Sequence, residues 1–159
     1  MAYIRIKKIQ NQEYAYLVES ITTEKGPRQK VKQYLGKVQR YVLPDEVEKN
    51  LRLDDKREFV ISLVESQLKA LGFTMQDKYY EQNGFVFSAT DCSFRKKKTT
   101  KEIVLTFEQG YLCTFTIQRL LSFTKSKDFN QDAYALAKYF LEAGLQISEE
   151  EFVKFYSLL

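Results

Sequence analysis

Apolar and polar residues alternate along three stretches near the start of this chain. In AYIRIKKIQ (2 to 10), Ile4 and Ile6 alternate with Tyr3, Arg5 and Lys7, and in RQKVKQYLGKV (28 to 38), Val31 and Leu35 alternate with Arg28, Lys30, Lys32 and Tyr34. A period of two is the pleat of a strand, with successive side chains on opposite faces. Between them EYAYLVESIT (13 to 22) matches Leu17 and Ile21 to the apolar set and leaves Tyr14, Tyr16 and Val18 for the other face. Asn11-Gln12 and Glu24-Lys25-Gly26-Pro27 supply the reversals. The pattern predicts a three-stranded antiparallel meander with one apolar face and one basic, aromatic face.

Residues 42 to 54, with Pro44 and several acids, read as a connector. The period then changes. Phe59, Val60, Leu63, Val64, Leu68 and Leu71 fall on one helical face, Asp55 with Glu58 resembles a capping box, and Gly72 suits the left-handed residue that ends a helix. Asn83-Gly84, between Tyr79-Tyr80 and Phe85-Val86-Phe87, predicts a tight hairpin, and EIVLTF (102 to 107) adds a further strand to a second small antiparallel sheet. Helical spacing returns near 112 to 124 and near 131 to 143, the latter with Asn130 as cap and Gly144 as stop. Ser148 with Glu151 forms a second capping-box pattern, and Ile147 with Phe152 a hydrophobic staple, ahead of a last helix bearing Phe155, Tyr156 and Leu159. The fold class is therefore α+β: a basic sheet module over 1 to 41, then a mixed strand and helix body over 42 to 159 that can form one compact unit with it.

Composition narrows what such a fold can do. The 159 residues are 44% hydrophobic and 14% aromatic, enough for a genuine core. No apolar run approaches the roughly 20 residues of a membrane helix, and MAYIRIKK carries charge where a signal peptide is apolar, so no membrane association and a cytoplasmic location are expected. Cys92 and Cys113 are the only cysteines and form no C-x-x-C arrangement, so they are expected as buried thiols and not as a disulfide framework. Histidine is absent, which removes the commonest general base and transition-metal ligand. Phosphate-loop, nucleotide-fold, nucleophile-elbow and zinc-protease motifs are absent too. The expectation is a protein without cofactor or metal, and non-catalytic. Asp91, Lys101 and Glu102 are the one carboxylate grouping worth testing for a metal-dependent nuclease, the least favoured reading.

Charge is distributed unevenly. Residues 1 to 41 hold nine Lys and Arg against three Glu, a net +6, which leaves −2 for the remainder of a chain whose total is +4. Cations grouped on one sheet face repel one another unless a polyanion or solvent screens them, and aromatics among them offer flat surfaces for bases. The leading expectation is nucleic-acid binding, DNA or RNA, through Arg5, Lys7, Arg28, Lys30 and Lys32, with Tyr3, Tyr16 and Tyr34 as stacking partners. Arg95, Lys96, Lys97 and Lys98 in SFRKKKTTK would add phosphate contacts from a loop or hairpin tip. Against this stands the ordinary role of Lys and Arg on a solvated sheet face, where they also block edge-to-edge pairing. The alternative partner is a protein, or a second copy in a homodimer, held through the aromatic C-terminal helices.

The run YIRIKKIQNQEYAYLVES followed by GPRQKVKQYLGKV resembles the N-terminal β-rich segment of DDE-type insertion-sequence transposases. Tyr14, Tyr16, Leu17, Val18, Glu19, Ser20, Gly26, Arg28, Gln29, Leu35 and Gly36 carry the resemblance, which covers about the first 40 residues. It implies DNA contact by this segment. Residues 42 to 159 are too short for the catalytic domain of that family, so transposition chemistry is not implied.

Overall fold

In the computed structural model, which describes residues 2–159, strands β1 (Ala2–Ile9), β2 (Gln12–Thr23) and β3 (Gly26–Arg40) form the expected antiparallel meander. Gln10 and Asn11 both take positive φ, 50° and 64°, as a two-residue turn of the primed type requires. The reversal thus falls one residue earlier than Asn11-Gln12. At the far end Glu24-Lys25 makes the turn and Gly26, at φ 98°, closes it.

The meander does not stand apart from the body. Strand β8 (Ile103–Thr106), expected in the second sheet, instead pairs in parallel with the end of β3, Lys37 opposite Ile103 and Arg40 opposite Thr106. With β9 (Tyr111–Leu112) it completes a five-stranded sheet of order β1-β2-β3-β8-β9. All four β8 residues are buried, which suits an interior strand covered on both faces. The second sheet, β4 (Thr74–Gln76), β5 (Tyr79–Gln82), β6 (Phe85–Ser88) and β7 (Ser93–Lys96), is antiparallel, and Asn83 and Gly84 turn its central hairpin with φ of 50° and 79°.

Helix α1 (Lys56–Ala70) lies in the middle of the main core, which also takes in Phe87 and Phe94 of the second sheet and Ile103 and Leu105 of β8. Sequence spacing assigned it one apolar face. Instead every residue from Phe59 to Leu68 is buried, Ser62, Glu65, Ser66 and Gln67 included. Those polar groups are satisfied by the connector and by the end of a later helix. The Ser62 and Ser66 hydroxyls accept from the Arg52 and Asn50 amides at 3.0 and 3.2 Å, Glu65 accepts from Arg52 at 2.9 Å, and Gln67 donates to the Gly144 carbonyl at 2.8 Å. Asp55 caps the helix by accepting from the Glu58 amide at 2.8 Å, but the reciprocal half of the box is missing because the Glu58 carboxylate pairs with Arg52 at 2.6 Å. Gly72 ends α1 as expected, with Phe73 N–H reaching the Leu68 carbonyl at 3.0 Å.

Helices α2 (Thr114–Leu121), α3 (Phe129–Glu142) and α4 (Glu149–Ser157) close the core. Asp128, not Asn130, caps α3, accepting from the Asn130 and Gln131 amides at 3.0 and 3.2 Å. Ser148 and Glu151 form the reciprocal box at α4. Phe155 is fully buried, its ring 5.2 Å from Phe59 and 5.1 Å from Phe140, so the last helix turns its central aromatic inward. Both cysteines are buried free thiols, and burial pushes the Cys113 thiol above its ordinary range. No helix among the described residues is long and apolar enough to cross a membrane.

Two substitutions test these assignments. Gly36 sits at φ 138°, and a Cβ there would lie 2.6 Å from the Glu102 carbonyl oxygen, backbone that cannot swing aside. Gly36→Ala is expected to lower stability by about 2 kcal/mol or more in urea denaturation, and an unchanged midpoint would remove the β3–β8 junction from this account. Asp128→Ala is expected to cost about 1 kcal/mol and Asn130→Ala less than about half of that. The reverse order would restore Asn130 as the cap.

Candidate nucleic-acid interface

Strand register decides which side chains share a face. Arg5 pairs with Tyr16 and Tyr16 with Tyr34, while Tyr3 pairs with Val18 and Val18 with Val31. These residues, with Lys7, Tyr14 and Lys37, form one face of the meander. Ile4 and Ile6 pair with Leu17 and Ala15 on the other, where a small core of Ala15, Leu17, Leu35, Val38, Val104 and Cys113 is packed against Phe115.

The third strand breaks the expected sorting. Register shifts lie between Leu17 and Val18 and between Ala15 and Tyr16, so β3 carries an extra residue at Lys32 and another at Leu35. Each bulge reverses the alternation. Arg28 and Lys30 consequently pair with Ile21 and Glu19 and extend the apolar face, away from Arg5 and Lys7. Lys32 reaches back to Glu19 at 3.3 Å on that same side. The expected single face holding all five cations is therefore corrected: Tyr3, Arg5, Lys7, Tyr16 and Tyr34 are together, and Arg28, Lys30 and Lys32 lie on the reverse. Gly36 signals the bulge at Leu35, since a glycine inside a strand often marks one, but no residue of that kind marks the bulge at Lys32, which separates Tyr34 from Lys30 and Arg28.

The tyrosine face is internally organised. Tyr34 lies 5.2 Å from Tyr16 and 6.4 Å from Tyr14 between ring centroids, and the Lys7 ammonium stands 4.9 Å over the Tyr16 ring. Burial, then the neighbouring phenols of Tyr16 and Tyr14, push the Tyr34 hydroxyl above its ordinary range. Arg5 donates to Gln29, which donates to the Tyr3 hydroxyl. Tyr3 and Tyr34 remain 38% and 47% exposed, which leaves ring surface for a ligand.

From Glu19 to Tyr34 no residue is buried on either face. Among the described residues β1 pairs no further than Ala2 with Glu19, and residues 20 to 29 there form a two-stranded ribbon. β2 alone has 12 residues, a length of roughly 40 Å. At the ribbon's base Glu13 accepts both forks of Arg40, at 2.8 and 2.9 Å, and that hydrogen bond holds its carboxyl below the usual range.

The second basic cluster is a hairpin end. Lys96 N–H reaches the Lys101 carbonyl at 3.0 Å, the Arg95 guanidinium lies 5.3 Å from the Tyr79 ring, and Lys97 pairs with Glu81 at 3.0 Å. Lys98 is exposed. Glu102 bridges Arg95 and its carbonyl lies against Gly36, while the loop 96 to 101 packs on the Asn83-Gly84 turn, where Lys97 N–H reaches the Gly84 carbonyl at 2.8 Å. Asp91 is not brought to Glu102. It sits in the turn before β7, where the Ser88 hydroxyl lies 3.4 Å from its carboxylate, while Glu102 bridges Arg95. Among the described residues no three Cys, Asp or Glu side chains form a metal-holding group.

No protein-family model, no curated protein and no solved structure matches this chain.

Proposed function

We propose that the chain binds double-stranded nucleic acid by laying its β2–β3 ribbon in a groove of the duplex. The observation that carries this is the two-sided exposure of residues 19 to 34, with Arg28, Lys30 and Lys32 on one face, and with Arg5 and Lys7 of β1 on the other face of the sheet where the ribbon begins. A single-stranded ligand stacked on a platform uses one face. A groove has two phosphate walls, and the major groove of B-form DNA, about 12 Å wide, admits a two-stranded ribbon. The corresponding groove of A-form RNA is too narrow, so DNA is the better fit. Phosphate contacts dominate such binding. The resemblance of residues 3 to 38 to a transposase segment points the same way, toward DNA contact without the chemistry.

Two-stranded ribbons are marginally stable alone, and this one buries nothing along its outer half. Such a segment contributes little to the fold, whereas contact with a ligand would stabilise it. Arg28, Lys30 and Lys25 are its outer cations, partly opposed by Glu19 through Lys32.

Anisotropy titrations of one labelled mixed-sequence duplex DNA, its single strand and the equivalent duplex RNA, from roughly 50 to 200 mM salt, test the reading. Duplex DNA is expected to bind tightest. Alanine at Arg28 and Lys30, or separately at Arg5 and Lys7, is expected to lower the salt slope by about 2 each, near one per lost phosphate contact. Loss confined to the Arg5 and Lys7 variant, with single strand preferred, would return the tyrosine-platform reading, and no binding at the lowest salt would end both. Glu19→Gln frees Lys32 and is expected to tighten duplex binding at low salt, an effect that fades as salt rises. Weaker binding by that variant contradicts the proposed role of Lys32.

A further inference from the structure

Where the chain leaves β3, residues 40 to 45 and side chains of α3 and α4 line a groove of about 1290 Å³. It is larger than the roughly 300 to 1,000 Å³ of a typical small-molecule site. Phe107, Phe140 and Phe152 line it, and Ala133 and Ala137, one turn apart on α3, leave the space between them open. Val42, Leu141 and Val153 are among its lining residues and are 92%, 59% and 66% exposed, so apolar side chains reach the rim with nothing over them.

The rim is charged with one sign. Asp45, Glu108 and Glu149 line the groove and are exposed, and the only cation there, Arg40, is held in both its forks by Glu13. An apolar floor with a carboxylate rim complements a segment that is apolar on one face and cationic at its edges. The small residues of α3 allow a second helix to approach closely, and an amphipathic helix presents apolar side chains at the spacing such a groove takes up.

From these features we infer that this groove is a docking site for a cationic amphipathic helix of a partner protein. The site is independent of the ribbon: its residues lie on the acidic remainder of the chain, beyond the basic meander except for Arg40. The two surfaces would let one molecule hold a duplex and a helical partner together.

The probe is a fluorescein-labelled designed helix of leucine and lysine with leucines at i, i+3, i+4 spacing, titrated against the full chain, beside a counterpart in which glutamate replaces every lysine. The lysine helix is expected to bind at least roughly tenfold more tightly than the glutamate helix. Asp45→Asn, Glu108→Gln and Glu149→Gln combined should weaken the lysine helix by roughly tenfold, and Ala137→Trp, an exposed position whose indole would fill the groove, should abolish binding while circular dichroism stays native. The Arg28 and Lys30 alanine variant should bind the lysine helix as the parent does. Equal binding of both helices, or binding untouched by Ala137→Trp, overturns the proposal. So does a parent dimer in light scattering that Ala137→Trp converts to monomer, because the groove would then belong to a second copy of this chain.

Discussion

Burial of α1 on every side is the constraint that the rest of the structure satisfies. A helix with ten consecutive buried residues cannot leave its polar positions to water, and an unpartnered buried polar group costs about 1 to 3 kcal/mol. Ser62, Ser66 and Glu65 draw the connector across the helix, fixing Asn50 and Arg52, and Gln67 fixes the end of α3 through Gly144. Lys49 then reaches Glu151 at 2.7 Å, tying the same connector to the first turn of α4. The course of residues 49 to 53, irregular in backbone, is thereby determined by hydrogen bonds to a helix. The segment that lines the groove, residues 40 to 45, leads into this pinned stretch.

The second consequence runs through β8. Its Ile103 and Leu105 belong to the core around α1 and its Val104 to the small core under the meander, so this one strand joins two apolar layers. Parallel pairing with Lys37 to Arg40 transmits that rigidity to the base of β3. Gly36 is where the approach is tightest, and its positive φ accompanies the bulge at Leu35 that turns Leu35 into the small core. Past that point the ribbon is free of the body. A stiff base with a bare outer half is a geometry suited to probing a concave surface.

Much of the fold was legible because local signals and tertiary packing agree. Asn83-Gly84, Gly72, Gly144 and the Ser148 and Glu151 box each act within a few residues, and each is found as expected. What was not legible depends on distant partners. EIVLTF reads as a strand, but nothing in it reveals that it pairs with β3 rather than β7. Ser62, Ser66 and Gln67 read as the solvent side of α1 because the segments that satisfy them lie 10 to 77 residues away. At the candidate interface the alternation from Tyr34 to Arg28 was read through an unbroken pleat, and the bulge at Lys32 inverts it. The groove escaped notice for a related reason: Asp45, Glu108 and Glu149 are unremarkable apart, and only the packing of α3 and α4 gathers them.

Inverting the cations on β3 changes the kind of ligand the meander suits, which follows from electrostatics alone. Five cations on one face would concentrate charge along a line and favour a single backbone lying flat on the tyrosines. Divided between two faces, they are separated by the thickness of the sheet, repel one another less, and present positive potential in two opposed directions. A surface of that kind gains most where anions lie on both sides at once. A duplex groove, with a phosphate backbone along each wall, is such a place. The acidic body behind the ribbon adds to the bias, because it repels the same backbone and leaves the outer hairpin as the favoured point of approach.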